Sequence, residues 1–138
     1  MTDRTYTVLI LCTGNSCRSQ MAQGLINHEL GPRIRAISAG THPGQKVADG
    51  ALAALEQAGI PTSGLYPKNV EAVMDQPIDL VVTVCDNAKE TCPVFPKPVA
   101  SIHLPFHDPH GESLSSFIQV RDDIKASLLP ELKRRFSL

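Results

Sequence analysis

Two thiols, a guanidinium and a carboxylate stand where they could do chemistry together. The first cluster is CTGNSCRS, Cys12 to Ser19, placed directly after the apolar run TVLIL. A strand ending at Cys12 and a helix starting near Arg18 or Ser19 leave a loop of about six residues, whose amides can turn inward at the helix N-terminus and cradle an anion. Gly14 permits a positive φ, and Asn15 is among the few other residues that tolerate one, so Thr13, Gly14, Asn15, Ser16 and Cys17 can curl tightly. Arg18 offers a planar fork for two oxygens of a tetrahedral oxyanion, a match that lysine lacks. Ser19 is placed to cap the helix and to donate its hydroxyl to the Cys12 sulfur. The same donors favour thiolate over thiol, so a depressed pKa and a nucleophilic role are expected for Cys12. A merely buried strand-end cysteine would leave Gly14, Asn15 and Arg18 at these spacings unexplained, and the GKS or GKT signature of a nucleotide loop is missing. Cys17 has no charge partner except the adjacent arginine and reads as structural.

The second cluster, VTVCDNAKETCP, sets Cys85 at the end of another apolar run and Cys92 seven positions on. Six intervening residues are too many for a zinc knuckle, and no matching cysteine or histidine pair exists elsewhere. The intervening Asp86, Asn87, Lys89 and Glu90 seek solvent, so a loop able to rearrange is expected. The third cluster, IHLPFHDPHG, holds Asp108 among His103, His107 and His110. Pro105 and Pro109 exclude the helix on which that histidine spacing would converge, so no metal site is expected. Asp108 suits a mobile acid loop, with a plain turn-forming Asp-Pro as the lesser alternative.

Elements must bring these clusters to one edge. Residues 6–11 and 80–84 read as fully buried strands, being apolar, β-branched and without polar alternation; residues 34–39 and 99–103 are weaker strand candidates. Helical patterns fill residues 19–30, 47–58 and 113–136. The second stops at Gly59 with Pro61 beyond it. In the third, Phe117, Val120, Ile124, Leu128 and Leu132 share one face, and Pro130 should kink or interrupt it. Residues 93–98, PVFPKP, cannot form a strand. This alternation predicts an α/β chain with right-handed crossovers, a four-stranded parallel sheet and helices on both faces, a three-layer α/β/α arrangement in one domain spanning residues 1–138. Ligands of such sheets bind beyond the carboxyl ends of the strands, where Cys12 and Cys85 both fall.

A formal charge of −1 lacks the positive balance that nucleic-acid binding needs, and Lys133, Arg134 and Arg135 suit the C-terminal end of the last helix. No stretch approaches the roughly 20 apolar residues of a membrane span, and MTDRTYTVLIL is not a signal sequence, so a cytoplasmic location is expected. In a reducing compartment four cysteines point to catalysis, redox exchange or metal binding rather than permanent disulfides.

With CTGNSCRSQMA, Ser38-Ala39-Gly40, the run from Asp79 to Thr83 and Asp108-Pro109 in this order, the chain resembles the low-molecular-weight phosphotyrosine phosphatases and the arsenate reductases built on the same flavodoxin-like fold. At its second pair of cysteines it is similar to the thioredoxin-coupled arsenate reductases. That resemblance implies a relay in which Cys12 attacks arsenate, Asp108 protonates the departing oxygen, Cys85 attacks Cys12 and releases arsenite, and Cys92 moves the disulfide to where thioredoxin reduces it. A low-molecular-weight thiol with a glutaredoxin-like partner is the other possible reductant. No bound cofactor is implied. Some relatives hold potassium near the catalytic loop at positions matching Asn15 and Ser38 plus two acidic residues; here Gln23 takes one acidic position and Lys68 or Asn69 lies near the other, so potassium dependence is not expected. A phosphatase of phosphotyrosine or small phosphomonoesters, needing only Cys12, Arg18 and Asp108, is the alternative. Aromatic residues make up only 4% of the chain, and His110 follows Asp108-Pro109 where the phosphatases place an aromatic, which disfavours it. A redox sensor whose loop only binds phosphate or sulfate is a further alternative.

Overall fold

The computed structural model describes residues 4–85 and 95–138. Its elements are β1 (Tyr6–Cys12), α1 (Arg18–Leu30), β2 (Ile34–Gly40), α2 (Asp49–Gln57), a 3₁₀ turn (Val70–Ala72), β3 (Leu80–Thr83), β4 (Ala100–His103) and α3 (Leu114–Arg135). All strands run parallel in the order β2-β1-β3-β4, so the α/β class and the four-stranded parallel sheet expected from the apolar runs are what forms. The continuous apolar runs lie centrally: β1 is fully buried from Val8 onward, and β3 throughout. Strand β4 is more exposed, as an edge strand can be. Among the described residues, no helix is long and apolar enough to cross a membrane.

The three helices pack on one another, and α1 packs on β1 and β2. Gly24 of α1 lies against Leu55 of α2 and Ile60 beyond it. Helix α2 ends as its sequence anticipates, with Gly59 at a φ of 76°. Phe117, Val120, Ile124, Leu128 and Leu132 of α3 are buried on the expected face, joined by Leu129 and Arg121. Pro130 does not interrupt the helix, which runs through to Arg135. The proline costs the Ala126 carbonyl its helical donor, but Leu128, Leu129 and Leu132 are buried on either side, and burying a leucine stabilises by about 2 kcal/mol. Packing thus holds the turn that the local preference would break.

Register places the chemistry. Cys12 pairs with Gly40 and Leu11 with Thr83, so β1, β2 and β3 finish at one level, and Cys85 follows β3 by two residues. Asp108 follows β4 on the same edge.

Candidate active site

The loop between β1 and α1 owes its curl to its neighbours as much as to its own residues. The chain leaving β2 runs alongside it: the amides of Thr41, His42, Gly44 and Ala48 donate to the carbonyls of Cys12 (3.2 Å), Thr13 (2.9 Å), Gly14 (2.8 Å) and Ser16 (2.7 Å). With those carbonyls held outward, the planar peptide units turn their N–H groups toward the cavity they line. Gly40 makes the approach possible, since a Cβ there would sit 2.4 Å from the Thr13 carbonyl oxygen. Positive φ falls on Asn15, at 49°, whereas Gly14 needs none.

Asn15 is fully buried and held from three sides. Its side-chain amide donates to Ser19 Oγ (2.8 Å), its Oδ1 accepts from the Lys68 amide (3.0 Å), and its own carbonyl accepts from Gln20 Nε2 (2.9 Å). The expected cap does not form: α1 begins at Arg18 after Cys17 with no side-chain cap, and the Ser19 hydroxyl oxygen accepts from the Asn15 amide. The ammonium of Lys68 donates to the carbonyls of Ser38 (2.8 Å) and Tyr66 (3.1 Å) and lies 4.6 Å from the centre of the Tyr66 ring. Burial lowers its pKa. Ser38 Oγ donates to Gln23 Oε1 (2.6 Å). A positive charge thus sits beneath the loop, supplied by the chain itself.

The cavity measures about 490 Å³ and is lined by Cys12, residues 13–18, Cys85, Asp108 and His110. Cys12, Thr13, Gly14, Asn15, Ser16, Cys17, Arg18, Cys85 and Asp108, all singled out from the sequence, meet here. Ser19 lies behind the loop, and Cys92 lies outside the described residues, as does the loop expected to rearrange. The Arg18 guanidinium donates from Nη1 to the Phe106 carbonyl (3.1 Å), and Nη2 lies 3.6 Å from Asp108 Oδ2. Its Nε is buried with no partner among the described residues, a donor that an oxyanion in the cavity would satisfy. Asp108 is both turn and site residue, because Oδ1 accepts the His110 amide (3.0 Å) while Oδ2 faces Arg18. The neighbouring histidines diverge: His103 pairs with Thr83 Oγ1 (2.6 Å) and His107 with Glu112 (2.8 Å).

Cys12 and Cys85 are nearly buried, with their sulfurs 3.1 Å apart. The Cys12 thiol donates to Cys85 Sγ, which also accepts from the Thr13 amide (3.3 Å). This reverses the expectation for the Cys12 pKa. The hydrogen bond to Cys85 raises it most, followed by burial and the charge of Cys85, and these outweigh the lowering by Arg18 and the Thr13 amide. The anion loop and a Cys85 within reach of Cys12 were expected; the hydrogen bond between the two sulfurs, which decides the direction of this pKa, was not. Cys17 behaves as the structural thiol expected, its pKa pushed up to about 12 by burial and by Asp108 against the pull of Arg18.

A loop of inward amides after the first strand, an arginine opening the next helix and an acid loop at the same edge define a family. Residues 7–135 match the low-molecular-weight phosphotyrosine protein phosphatase family, and the chain belongs to it. Within it the chain is similar to arsenate reductase 1 of Staphylococcus epidermidis, 41% identical over 124 residues that span 88% of this chain and 92% of that protein. A solved arsenate reductase in its phosphate-binding state is 28% identical and superposes with a TM-score of 0.78, covering 94% of this chain and 98% of the other. A low-molecular-weight protein tyrosine phosphatase from T. tengcongensis shares the fold at a TM-score of 0.83 and 24% identity, over 95% of this chain and 99% of the other.

Signals missed in the sequence lie mostly behind the loop. Gln20, fully buried, ties the Asn15 carbonyl to that of Tyr66 (both 2.9 Å). A glutamine on the first turn of a helix whose apolar neighbours face a core was the available hint.

Proposed function

We propose that the chain is an arsenate reductase in which electrons pass from Cys12 and Cys85 to arsenic and are restored through Cys92 by thioredoxin. The observation that carries this reading is the 3.1 Å contact between the Cys12 and Cys85 sulfurs inside a cavity of oxyanion donors. A phosphatase needs one thiolate; a second sulfur at that distance lets electrons move.

Arsenate enters against the loop amides and the Arg18 fork. For the first attack the proton shared by the two sulfurs must sit on Cys85, leaving Cys12 ionised. Cys12 then bonds to arsenic(V), and an arsenate oxygen departs as water with a proton from Asp108. For the second step Cys85 loses its proton and attacks Cys12 Sγ; the sulfur–arsenic bond breaks, its electron pair stays on arsenic, and arsenite leaves with a Cys12–Cys85 disulfide behind it. Cys92 attacks Cys85, freeing Cys12, and the thioredoxin dithiol reduces the resulting Cys85–Cys92 bridge. Both pairings need Cα atoms within about 7 Å of each other at some stage. Such exchange belongs in a reducing compartment, and we place it in the cytoplasm.

Coupled NADPH oxidation tests the reading: with arsenate, thioredoxin and thioredoxin reductase, consumption is sustained, and leaving out thioredoxin stops it. Aryl-phosphate hydrolysis without arsenate-dependent NADPH consumption identifies a phosphatase instead, and neither activity leaves a redox sensor.

The same reading makes potassium dispensable, since Lys68 already supplies a cation to the Ser38 and Tyr66 carbonyls. Exchanging sodium for potassium is expected to leave turnover and melting temperature unchanged. Lys68→Met removes two charge-assisted hydrogen bonds and is expected to cost about 2 kcal/mol of stability. Turnover falls with it as Asn15 loosens, and part of the loss returns in potassium. Thermal melts and rates in the two salts check this.

A further inference from the structure

Three histidines crowd the acid loop, and two are engaged elsewhere, His103 with Thr83 and His107 with Glu112. The third, His110, lines the cavity, is exposed, and has no hydrogen-bond partner for its ring among the described residues. Its position is tied to the acid, because its backbone amide donates to Asp108 Oδ1 at 3.0 Å and buried Pro109 fixes the chain between them.

Charge in the cavity calls for such a residue. Arg18 is the one permanent cation among the described lining residues, and part of it already faces Asp108 and the Phe106 carbonyl. A tetrahedral dianion therefore brings two negative charges to a cavity whose one permanent counter-charge among the described lining residues is shared. Imidazole is the side chain that ordinarily gains a positive charge between about pH 8 and pH 5.5.

We propose that His110 is a second oxyanion-binding residue, which in its protonated form supplies a cation at the cavity mouth and makes oxyanion affinity rise as pH falls. The proposal rests on the reading of the cavity as an oxyanion site, and deepens it by adding a residue that selects dianions. The groups facing His110 across the cavity are Arg18 of α1, Cys12 at the end of β1, Cys17, Cys85 after β3, and Asp108 on its own loop. Outside the lining, His107 is paired with Glu112, and His42 stands on the segment bonded to the loop.

Sulfate is the probe, because it stays a dianion throughout this range and so contributes no titration of its own. Calorimetric titration of the whole protein with sulfate at about pH 5.5 and about pH 8 should give roughly tenfold tighter binding at the lower pH in moderate salt. His110→Gln is expected to bind weakly with its pH ratio flattened toward one, and His110→Arg tightly at both values, because its charge does not titrate. His107→Gln should keep the wild-type ratio. Thiol ionisation is common to all four proteins, so the comparison isolates residue 110. A flat wild-type profile, or an undiminished ratio in His110→Gln, overturns the proposal and leaves the thiol relay untouched. A wild-type protein that binds no sulfate at either pH overturns it together with the oxyanion reading.

Discussion

Cys85→Ala ends arsenate turnover, by at least about a thousandfold, while aryl-phosphate hydrolysis continues and rises at neutral pH. The first half follows from electron counting. A lone Cys12 can form a bond to arsenic, but without a second sulfur nothing breaks that bond reductively, so a stalled adduct replaces a cycle. The second half follows from the proton. In the native pair the Cys12 thiol donates to Cys85 Sγ, and this contact is the largest cause of its raised pKa. Alanine removes the acceptor and the charge of Cys85 together, leaving Arg18 and the Thr13 amide, both of which favour thiolate. The sign is therefore downward: the pH at which Cys12 becomes reactive toward iodoacetamide falls in Cys85→Ala relative to the native protein. The thiolate fraction near pH 7, and with it the phosphatase rate, rises. Alkylation rates across pH, with the site of labelling identified by mass, check the shift; an unchanged profile would mean that the sulfur contact does not govern Cys12. Cys12→Ser, by contrast, removes both activities.

Arg18→Lys lowers kcat/KM for arsenate and for aryl phosphates alike by about 10² to 10³, equivalent to about 3–4 kcal/mol of lost transition-state stabilisation. Total charge is conserved by this change, so a purely electrostatic role would predict little loss. What the lysine cannot do is hold three places at once: Nη1 on the Phe106 carbonyl, Nη2 beside Asp108, and the buried Nε turned to neither. A flexible ammonium brings a point charge without the fork, and it frees the acid loop from the catalytic loop. The loss should appear in kcat as well as KM, because the geometry that aligns the acid is lost along with affinity. Steady-state kinetics with both substrates, and a Tm confirming that the variant is folded, decide it. A loss confined to KM would reduce Arg18 to a binding group.

Of the residues that the two predictions use, Cys12 and Arg18 stand out in the amino-acid sequence, and the reason is local. Cys12, Gly14, Asn15 and Arg18 sit within one turn of chain, and the apolar runs on either side leave few ways to fold them. The strands β1 and β3 are legible for the same cause, since an unbroken β-branched run between polar segments must be buried on both faces. Sequence and structure part where a distant partner decides the outcome. The residues around Cys12 do not show that a sulfur 73 positions away accepts its proton in a hydrogen bond, yet that contact sets the direction of its pKa. Ser19 has the residue type of a cap because caps are local, but it lies inside the helix, where its oxygen accepts from Asn15, itself turned to a φ of 49° and held by Lys68 and Gln20. Pro130 is a strong local breaker overruled by leucines packed around it.

The run of hydrogen bonds from residues 41–48 to the outer carbonyls of the catalytic loop has a bearing on engineering. The two stretches, some thirty residues apart in the chain, form a single casting and its mould. Transplanting the nucleophile loop alone into a homologous scaffold would carry the chemistry but not its shape, whereas moving both stretches as one cassette keeps the curvature that aims the amides.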